Sequence, residues 1–291
     1  MTGSAWRRTW MAELEMELVG APAARRANPR AARIARRAWS ATWPKLAAAA
    51  IGLGLWQLVV SLGFWPDYLL PGPGAVVARL AADGGRSDFY LALGITLQRA
   101  AGDYAAALAI GSLLGVAVAA SRLLRRAVGS MITGLQSMPT IAWFPLAILL
   151  FGLSERAILF VVVLGAAPSV ANGLISGIDQ VPPLLLRAAR VIGARGPSLY
   201  RHVVLPAALP AFVGGLKQGW AFAWRSLMAG ELLVNVVGHP SLGVRLQFAR
   251  ELADAEGLLA AMIVLLLIGM VVDGVFGVVE RRIRAQWGLA G

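Results

Sequence analysis

The stretch GLLAAMIVLLLIGMVVDGVFGVV, residues 257–279, decides the fold class because it is long and apolar enough to cross a lipid bilayer. A transmembrane helix needs about 20 consecutive, mostly apolar residues, since the hydrocarbon core is about 30 Å thick. Asp273 is the only charged residue in the stretch. Similar blocks occur elsewhere along the chain, and the sequence therefore predicts an all-α, polytopic membrane protein.

The composition of the 291-residue chain agrees with this class: 58% of the residues are hydrophobic, 14% are charged, and the mean hydropathy is +0.69. Soluble domains carry about 25% charged residues. The absence of cysteine excludes disulfides, thiolate catalysis and cysteine metal sites. His202 and His239 stand too far apart for metal-ligand spacing, so we predict no metal site and no cofactor.

Six membrane spans are predicted, at residues 46–64, 97–120, 131–152, 157–178, 208–234 and 257–279. The third contains MPTIAWFPLAILL, residues 138–150, in which Pro139 and Pro145 interrupt the apolar run. Proline is tolerated inside a membrane helix where neighbouring helices shelter the freed carbonyl groups. We therefore expect the third span to be one helix, kinked at an interior pathway.

The basic residues indicate which side faces the cytoplasm. Most of the 27 lysine and arginine residues precede the first span, occupy the loops 121–130 and 179–205, or follow the last span. Cytoplasmic loops carry the excess of lysine and arginine, so both termini and these two loops are predicted to be cytoplasmic. Arg99 is assigned to the opposite side. The net charge of +12 follows from this topology, and we predict no nucleic-acid partner.

The loop between the fourth and fifth spans runs into RAARVIGARGPSLYRHVVLPAALP, residues 187–210, which is rich in arginine and punctuated by glycine. Its first part predicts a short helix, because Pro183 is tolerated in a first turn and apolar residues follow at helical spacing. Gly193 and Gly196 end this helix, and Ser198 is the predicted N-cap of a second one. The two helices form a knob, a compact segment that projects into the cytoplasm. It can transmit force only if another protein binds it.

This segment resembles the EAA loop of permease subunits in binding-protein-dependent ABC importers. The family pattern is Glu-Ala-Ala, three residues, Gly, nine residues, an aliphatic residue, any residue and Leu-Pro, and the spacing here matches throughout. Arg187 stands where the family has glutamate, which calls into question any contact of that acidic side chain with the ATPase. The residues that the resemblance assigns to ATPase coupling are Arg187, Ala188, Ala189, Gly193, Ala194, Val203, Leu205 and Pro206.

The resemblance extends over roughly residues 69–285. Stretches such as YLLPGPGAVVARL and GWAFAWRSLMAGELL are similar to the nitrate, sulfonate and taurine branch of the family. The resemblance implies a type I ABC importer permease with about six transmembrane helices and a cytoplasmic coupling loop. The predicted divisions are a basic cytoplasmic tail (1–43), a first transmembrane helix with an external linker (44–84), the type-1 permease domain (85–285) and a C-terminal tail (286–291).

A permease of this type implies partners as well as a fold. Two such subunits line the path of the solute, and each docks its loop into a cytoplasmic ATPase dimer. We expect a homodimer, or a heterodimer with a sister permease, in the lipid of a bacterial inner membrane, served by an extracytoplasmic solute-binding protein. The chain has no GxxxxGK[ST] phosphate loop, so we expect no enzyme activity here and ATP hydrolysis on a separate chain. The expected solute is an aliphatic sulfonate, taurine, nitrate or a related small molecule.

Several charged residues fall inside predicted spans, where charge costs at least about 2.5–3.5 kcal/mol and seldom faces lipid. One interpretation places Lys217 and Arg225 on a basic path for anionic solutes. The alternative pairs Arg225 with Glu231 or Asp273 and lets Lys217 extend towards the cytoplasm. The candidate path residues are Pro139, Trp143, Lys217, Trp224, Arg225 and Glu231.

An ion-coupled secondary transporter is the competing class. Asp103, expected near the start of the second span, would act with Glu231 and Asp273 as an ion relay. Such transporters usually contain internal repeats, and the sequence shows none. This class also leaves the predicted cytoplasmic knob without a role.

Overall fold

The structure is a computed structural model in which residues 29–286 are described, with side chains described for Trp39 and residues 42–286. This part of the chain is helical and contains no strand. The helices are α1 Pro29–Ser61, α2 Pro73–Gly84, α3 Ser87–Ala120, α4 Arg122–Ser137, α5 Phe144–Phe151, α6 Glu155–Asp179, α7 Pro183–Val191, α8 Gly196–Leu199, α9 Leu205–Leu233, α10 Leu242–Glu251 and α11 Ala255–Gln286. A 3-10 turn, Thr140–Trp143, lies between α4 and α5, and a π-helical turn, Tyr200–Val204, joins α8 to α9.

Five helical stretches of the described residues are long and apolar enough to cross a membrane, and a bent pair raises the number to six. The prediction of an all-helical membrane protein with about six spans is confirmed. The five stretches are Thr42–Ser61, Ser87–Ala120, Glu155–Asp179, Gly196–Leu233 and Ala255–Gln286, and the bent pair is Arg122–Ser137 with Thr140–Phe151.

The third predicted span, 131–152, is wrong as a single kinked helix. Helices α4 and α5 with its preceding turn meet at an angle of 103°. Met138 and Pro139 both have extended ψ values, 135° and 125°, and end the first helix. The ring of a proline disfavours helical geometry in the residue before it, which accounts for the break at Met138. Pro145 lies in the first turn of α5, where its missing N–H costs nothing.

The helices that contain the second and fifth predicted spans are longer than those spans. Helix α3 begins at Ser87 instead of residue 97, so Asp103 lies near its middle and Arg99 lies inside the helix, not in an outer loop. The fifth span belongs to a continuous helical stretch that begins at Gly196, twelve residues before the predicted start at 208. The polar residues of both extensions lower the local hydropathy but do not interrupt the helix.

Helix α6 is the centre of the bundle, and it packs against α3 and α9 through small residues. A Cβ atom added to Gly173 of α6 would lie 2.5 Å from the Gly215 Cα of α9. Lipid tails are as apolar as leucine, so membrane helices associate through close packing, which small residues allow. The same close approach of two helix backbones occurs where Gly111 of α3 contacts Ala167 of α6. These crossings fix α3, α6 and α9 as one packed layer.

The chain divides into two compact units, residues 1–62 and 63–291. The first unit contains α1, whose apolar stretch Thr42–Ser61 presents no buried side chain. The second unit begins before α2, which packs against α11 and α3. Helix α2 therefore groups with the bundle, although the sequence placed it with the first transmembrane helix and the external linker of 44–84. The predicted tail over 1–43 is helical from Pro29, and residues 1–28 and 287–291, with most of the predicted C-terminal tail, lie outside the described residues.

Candidate coupling loop and translocation site

The first helix of the coupling loop ends in a glycine cap. The Gly193 N–H donates to the Arg190 carbonyl at 3.1 Å, and the Ala194 N–H donates to the Ala189 carbonyl at 3.0 Å. This pair of bonds is the Schellman arrangement, which requires a left-handed residue at the position of Gly193. Its φ is +93°, a conformation that favours glycine. The glycine of the loop pattern is therefore explained by the turn that closes α7.

The Leu-Pro end of the pattern has a backbone cause as well. A proline inside a helix lacks an N–H, and its ring clashes with the carbonyl four residues earlier, here that of His202. The turn before Pro206 widens to a π-helix, in which the Leu205 N–H donates to the Tyr200 carbonyl. The helix therefore continues through Pro206 without a break.

A small apolar core holds the loop together. Its buried members come from the turn after α6, from α7 and from the start of the long helix, the continuous stretch Gly196–Leu233, and they are Val181, Ala189, Leu199 and Val204. Ala194 and Val203 pack against this core. Ser198 is not the N-cap that the sequence predicted, because the second helix begins at Gly196, and the capping position is Arg195. Among the predicted coupling residues, Ala189, Ala194 and Val203 thus support the loop, whereas Arg187 and Ala188 are exposed.

A buried ion pair lies at the opposite end of α6. The Arg99 guanidinium donates to the Glu231 carboxylate at 3.0 Å and also to Glu155. Glu231 is 1% exposed and accepts further hydrogen bonds from the Thr96 hydroxyl and the Gly243 N–H, each at 3.0 Å. These contacts join α3, α6, α9 and α10. Glu231 is therefore satisfied inside the protein, and its side chain does not line an open path in this structure.

The pairing that the sequence proposed for Arg225 is wrong. Glu231 pairs with Arg99, and the Asp273 carboxylate lies 3.2 Å from the Lys217 ammonium. The extension of Lys217 towards the cytoplasm stays a prediction. Lys217 and Arg225 consequently contact different elements, the first reaching α11 and the second bordering the break between α4 and α5.

Arg225 lines an open cavity of about 360 Å³ at that break. Its Nε donates to the Ala221 carbonyl at 3.0 Å, and its guanidinium lies 5.2 Å from the Phe222 ring centroid. Pro139 lines the same cavity together with Gln136. The break in the third span therefore places Pro139, the Gln136 amide and the Arg225 guanidinium on the walls of one cavity.

Two predicted path residues lie elsewhere. Trp143 and Trp224 both pack against the main apolar core, and the Trp224 ring stacks on Trp220 with centroids 6.0 Å apart. The two tryptophans do not line the cavity at Arg225. Their assignment to a path stays a prediction.

A second cavity, of about 310 Å³, adjoins the first through Gln136. The Gln136 amide donates to the Ser169 hydroxyl at 2.8 Å and accepts from the Asn172 amide at 2.9 Å. Further polar side chains line this cavity, namely Ser176, Gln180 and Gln218. We call the two cavities together the polar groove. Within the part of the chain that the structure describes, Arg225 is the one charged residue that lines it.

The sequence held signals for the parts of the site that were missed. Ser169, Asn172, Ser176 and Gln180 recur at intervals of three and four along α6, which places them on one face of a helix that is otherwise apolar. Arg99 was missed for another reason, because it was counted among the basic residues of the outer side and not as a partner of Glu231. No group of three potential metal ligands occurs within residues 29–286.

Comparison with known proteins identifies the family. A family model described as "Binding-protein-dependent transport system inner membrane component" matches residues 107–285. The chain belongs to this family. It is the membrane-spanning permease subunit of an ABC importer, as the loop spacing indicated.

Individual relatives agree with this assignment. The taurine transport system permease TauC of Escherichia coli is 28% identical over 239 residues, covering 80% of this chain and 86% of TauC. The riboflavin transport system permease RibX of Chloroflexus aurantiacus is 30% identical over 262 residues, covering 90% and 96%. An inward-facing structure of the MetNI methionine ABC transporter matches with a TM-score of 0.57 at 20% identity, covering 66% of this chain and 94% of the matched chain, and it supports the fold.

Membership also bears on location and partners. The chain is a membrane protein of an inner-membrane transport family, and an importer permease works with an ATPase. The relatives are transport permeases, which agrees with a translocation role rather than an enzymatic one.

Proposed function

We propose that this permease conducts a small organic anion or zwitterion of the sulfonate and taurine type along the polar groove. The observation that carries the proposal is that two neighbouring cavities share Gln136 in their walls, with Arg225 as the charged residue that lines them. The relatives include a taurine permease, whose solute carries a sulfonate group. The groove is lined by amides, hydroxyls and one guanidinium, groups that bind anionic oxygen atoms weakly enough to release them.

The geometry of Arg225 suits this role. Its Nε is held by the Ala221 carbonyl, while its terminal nitrogens have no protein partner among the described residues. A planar guanidinium presents paired donors that match the oxygen atoms of sulfonate, carboxylate or nitrate. Trp143, Lys217 and Trp224 lie outside the groove, so Arg225 is the residue on which an anionic solute would depend most.

Coupling to the ATPase is proposed through α7 and the residues that support it. The end of the bundle that carries α7 is cytoplasmic in this proposal, as are both termini, because the basic residues concentrate there. One loop per chain requires two permeases for two ATPases, and we propose a homodimer served by an extracytoplasmic binding protein. Native mass spectrometry of the purified transporter should give two copies of this chain per ATPase pair. A complex that contains a sister permease would contradict the homodimer.

The ion-coupled alternative has little support from the geometry. Two of its three proposed relay acids are ion-paired, Glu231 with Arg99 and Asp273 with Lys217. Family membership points instead to an ATP-driven importer.

Replacement of Arg225 tests the proposed path. Arg225→Gln should lower the maximal uptake rate of an anionic sulfonate in proteoliposomes by at least about tenfold, because a charge-assisted hydrogen bond is roughly twice as strong as a neutral one and the groove holds no second cation among the described residues. Arg225→Lys should keep more of the rate. Arg122→Gln, on the exposed start of α4, is the matched control and should transport normally. Unchanged uptake by correctly assembled Arg225→Gln would exclude this path.

A further inference from the structure

The outward side of α7 is apolar and uncovered. Leu184, Val191 and Ile192 are 76%, 87% and 84% exposed. Arg187 and Ala188 are exposed beside them, since residues three, four and seven apart share one side of a helix. We call these five residues the α7 face. The opposite side of α7 is held by Ala189 in the loop core, so the helix has a fixed orientation.

The proposed cytoplasmic position of α7, with the fifth span entering the membrane near residue 208 as predicted, places this face beyond the bilayer. A Cβ atom on Gly177, near the end of α6, would contact the Ala208 backbone. Gly177 and Ala208 therefore lie at the same height along the axes of the packed helices. Residues 196–207 of the long helix precede that level and extend about 18 Å past it, at 1.5 Å per residue. Helix α7 packs on this extension through the turn Tyr200–Val204. Lipid tails therefore do not cover the apolar α7 face, and a protein surface is the occupant that its composition fits.

The charge around the α7 face has a single sign. The segment 180–206 contains four arginines and no carboxylate, and within the described residues none of the four arginines forms an ion pair. Asp179, the nearest acid, is engaged by Arg125, with 2.6 Å between the guanidinium and the carboxylate. An arginine that enters a protein interface without a carboxylate loses hydration and gains no partner, which costs free energy.

We infer that the ATPase cleft which receives α7 has an apolar floor and a carboxylate opposite Arg187. This inference rests on the proposed coupling role of α7 and specifies the chemistry of its partner. The loop pattern of the family has glutamate at this position, so the sign of the contact is reversed in this transporter. An ATPase matched to glutamate would meet Arg187 with a like charge and be rejected, which makes the residue a determinant of partner choice.

A purely topological role does not account for Arg187. Arginines that set orientation need only lie near the cytoplasmic surface, whatever side of a helix they occupy. Arg187 instead shares the α7 face with Leu184 and Val191, the surface that an apolar cleft would cover. Binding to anionic lipid is the other competing explanation, and the experiment below separates it.

Charge reversal of Arg187 tests the inference. The permease is placed in nanodiscs of zwitterionic phosphatidylcholine, and the dissociation constant of the ATPase from the same transport system is measured. Arg187→Ala should raise this constant several-fold, because the attraction to the facing carboxylate is lost. Arg187→Glu should raise it by at least about tenfold, because the two carboxylates also repel each other. The affinity of the native protein should fall with salt more steeply than that of Arg187→Ala. Arg122→Glu, an exposed reversal on α4, is the control and should bind normally.

A compensating change in the ATPase supports the inference most directly. Replacement of the facing carboxylate by arginine should restore the binding of Arg187→Glu and weaken that of the native permease. Native affinity in Arg187→Glu would overturn the inference. So would an effect that appears only when anionic phosphatidylglycerol is added to the nanodisc, since the partner of Arg187 would then be lipid.

A neutral variant distinguishes this inference from the proposed coupling role. Leu184→Gln removes apolar contact without changing charge, and it should weaken ATPase binding whatever faces Arg187. Weakening by Leu184→Gln together with native affinity in Arg187→Glu would leave α7 as the docking element and reject the charge match. Native affinity in both variants would overturn docking through α7, and the charge match with it.

Discussion

Glu231 illustrates how a single buried residue joins several helices. Its carboxylate accepts hydrogen bonds from the Arg99 guanidinium of α3 and from the Gly243 N–H of α10. Arg99 also donates to Glu155 at the start of α6. A buried ion pair contributes little net stability, but removal of one member leaves a charge without a partner. Gly243 is part of the same arrangement, because a Cβ atom there would clash with Glu231. The network thus fixes how four helices meet.

Replacement of Arg99 by methionine should be strongly destabilising. Glu231 would remain buried without its cation, at a cost of about 3–5 kcal/mol in the free energy of unfolding. The double variant Arg99→Met/Glu231→Gln should recover much of the loss, because the amide keeps its hydrogen bonds without a charge. Thermal unfolding in detergent measures both, and Arg125→Met, which breaks an exposed pair with Asp179, serves as a mild control. A double variant no more stable than Arg99→Met would contradict this account.

The elements differ in how far the sequence predicts them. Helices α6 and α11 contain the predicted spans because their apolar stretches have the highest hydropathy of the five. The third span was misjudged because the extended residues at Met138 and Pro139 produce a 103° bend, and composition does not distinguish a kink from a break. The coupling loop was found from spacing alone, since its glycine and proline are required by backbone geometry.

The partners of charged residues were not predictable from the sequence. Arg225 was paired with Glu231 or Asp273 because buried charges usually find partners, yet Glu231 pairs with Arg99 of α3 and Asp273 with Lys217. Which side chains meet depends on helix packing, and that packing is set by glycine contacts far from the charges. The polar groove was missed for the same reason, because Gln136 joins its two cavities only after α4 packs against α6.

The crossing of α6 and α9 should be sensitive to one added methyl group. In Gly173→Ala the new Cβ would lie 2.5 Å from the Gly215 Cα, so the helices must separate, at a cost of about 1–3 kcal/mol. Gly214→Ala is the matched control, because a Cβ atom at this position of α9 would meet nothing within 4 Å. We expect a lower unfolding midpoint for Gly173→Ala and an equal or higher one for Gly214→Ala. Equal stability of both variants would show that the crossing is looser than described.

The cap of α7 should matter for coupling more than for assembly. Gly193→Ala places a side chain at φ +93°, where strain costs about 1–3 kcal/mol although no atom lies within 4 Å. The variant should insert normally but lose most solute-dependent stimulation of ATP hydrolysis. Gly129→Ala, in α4 with open space and helical backbone, is the control. Native stimulation by Gly193→Ala would mean that the orientation of α7 does not carry the coupling.

At the scale of the whole molecule, the protein is a permease subunit in which one helical bundle carries both the polar groove and the coupling loop. The bundle of α3, α6 and α9 is held by small residues where the helices cross and by the Arg99 network at the end of α6 that is remote from α7. Helix α7 is attached to this bundle through α9, which continues without a break from the loop into the membrane. A displacement of α7 would therefore reach the polar groove through α9 and through the end of α6, which borders the same loop core.

The most direct test uses the absence of cysteine from the chain. Ile192→Cys, at a position that is 84% exposed on the α7 face, is treated with a membrane-impermeant maleimide in vesicles of known orientation. The account predicts labelling in inside-out vesicles, none in right-side-out vesicles, and protection when the ATPase is added. Labelling from the outside, or labelling that the ATPase leaves unchanged, would contradict the claim that α7 is the cytoplasmic element driven by a separate ATPase.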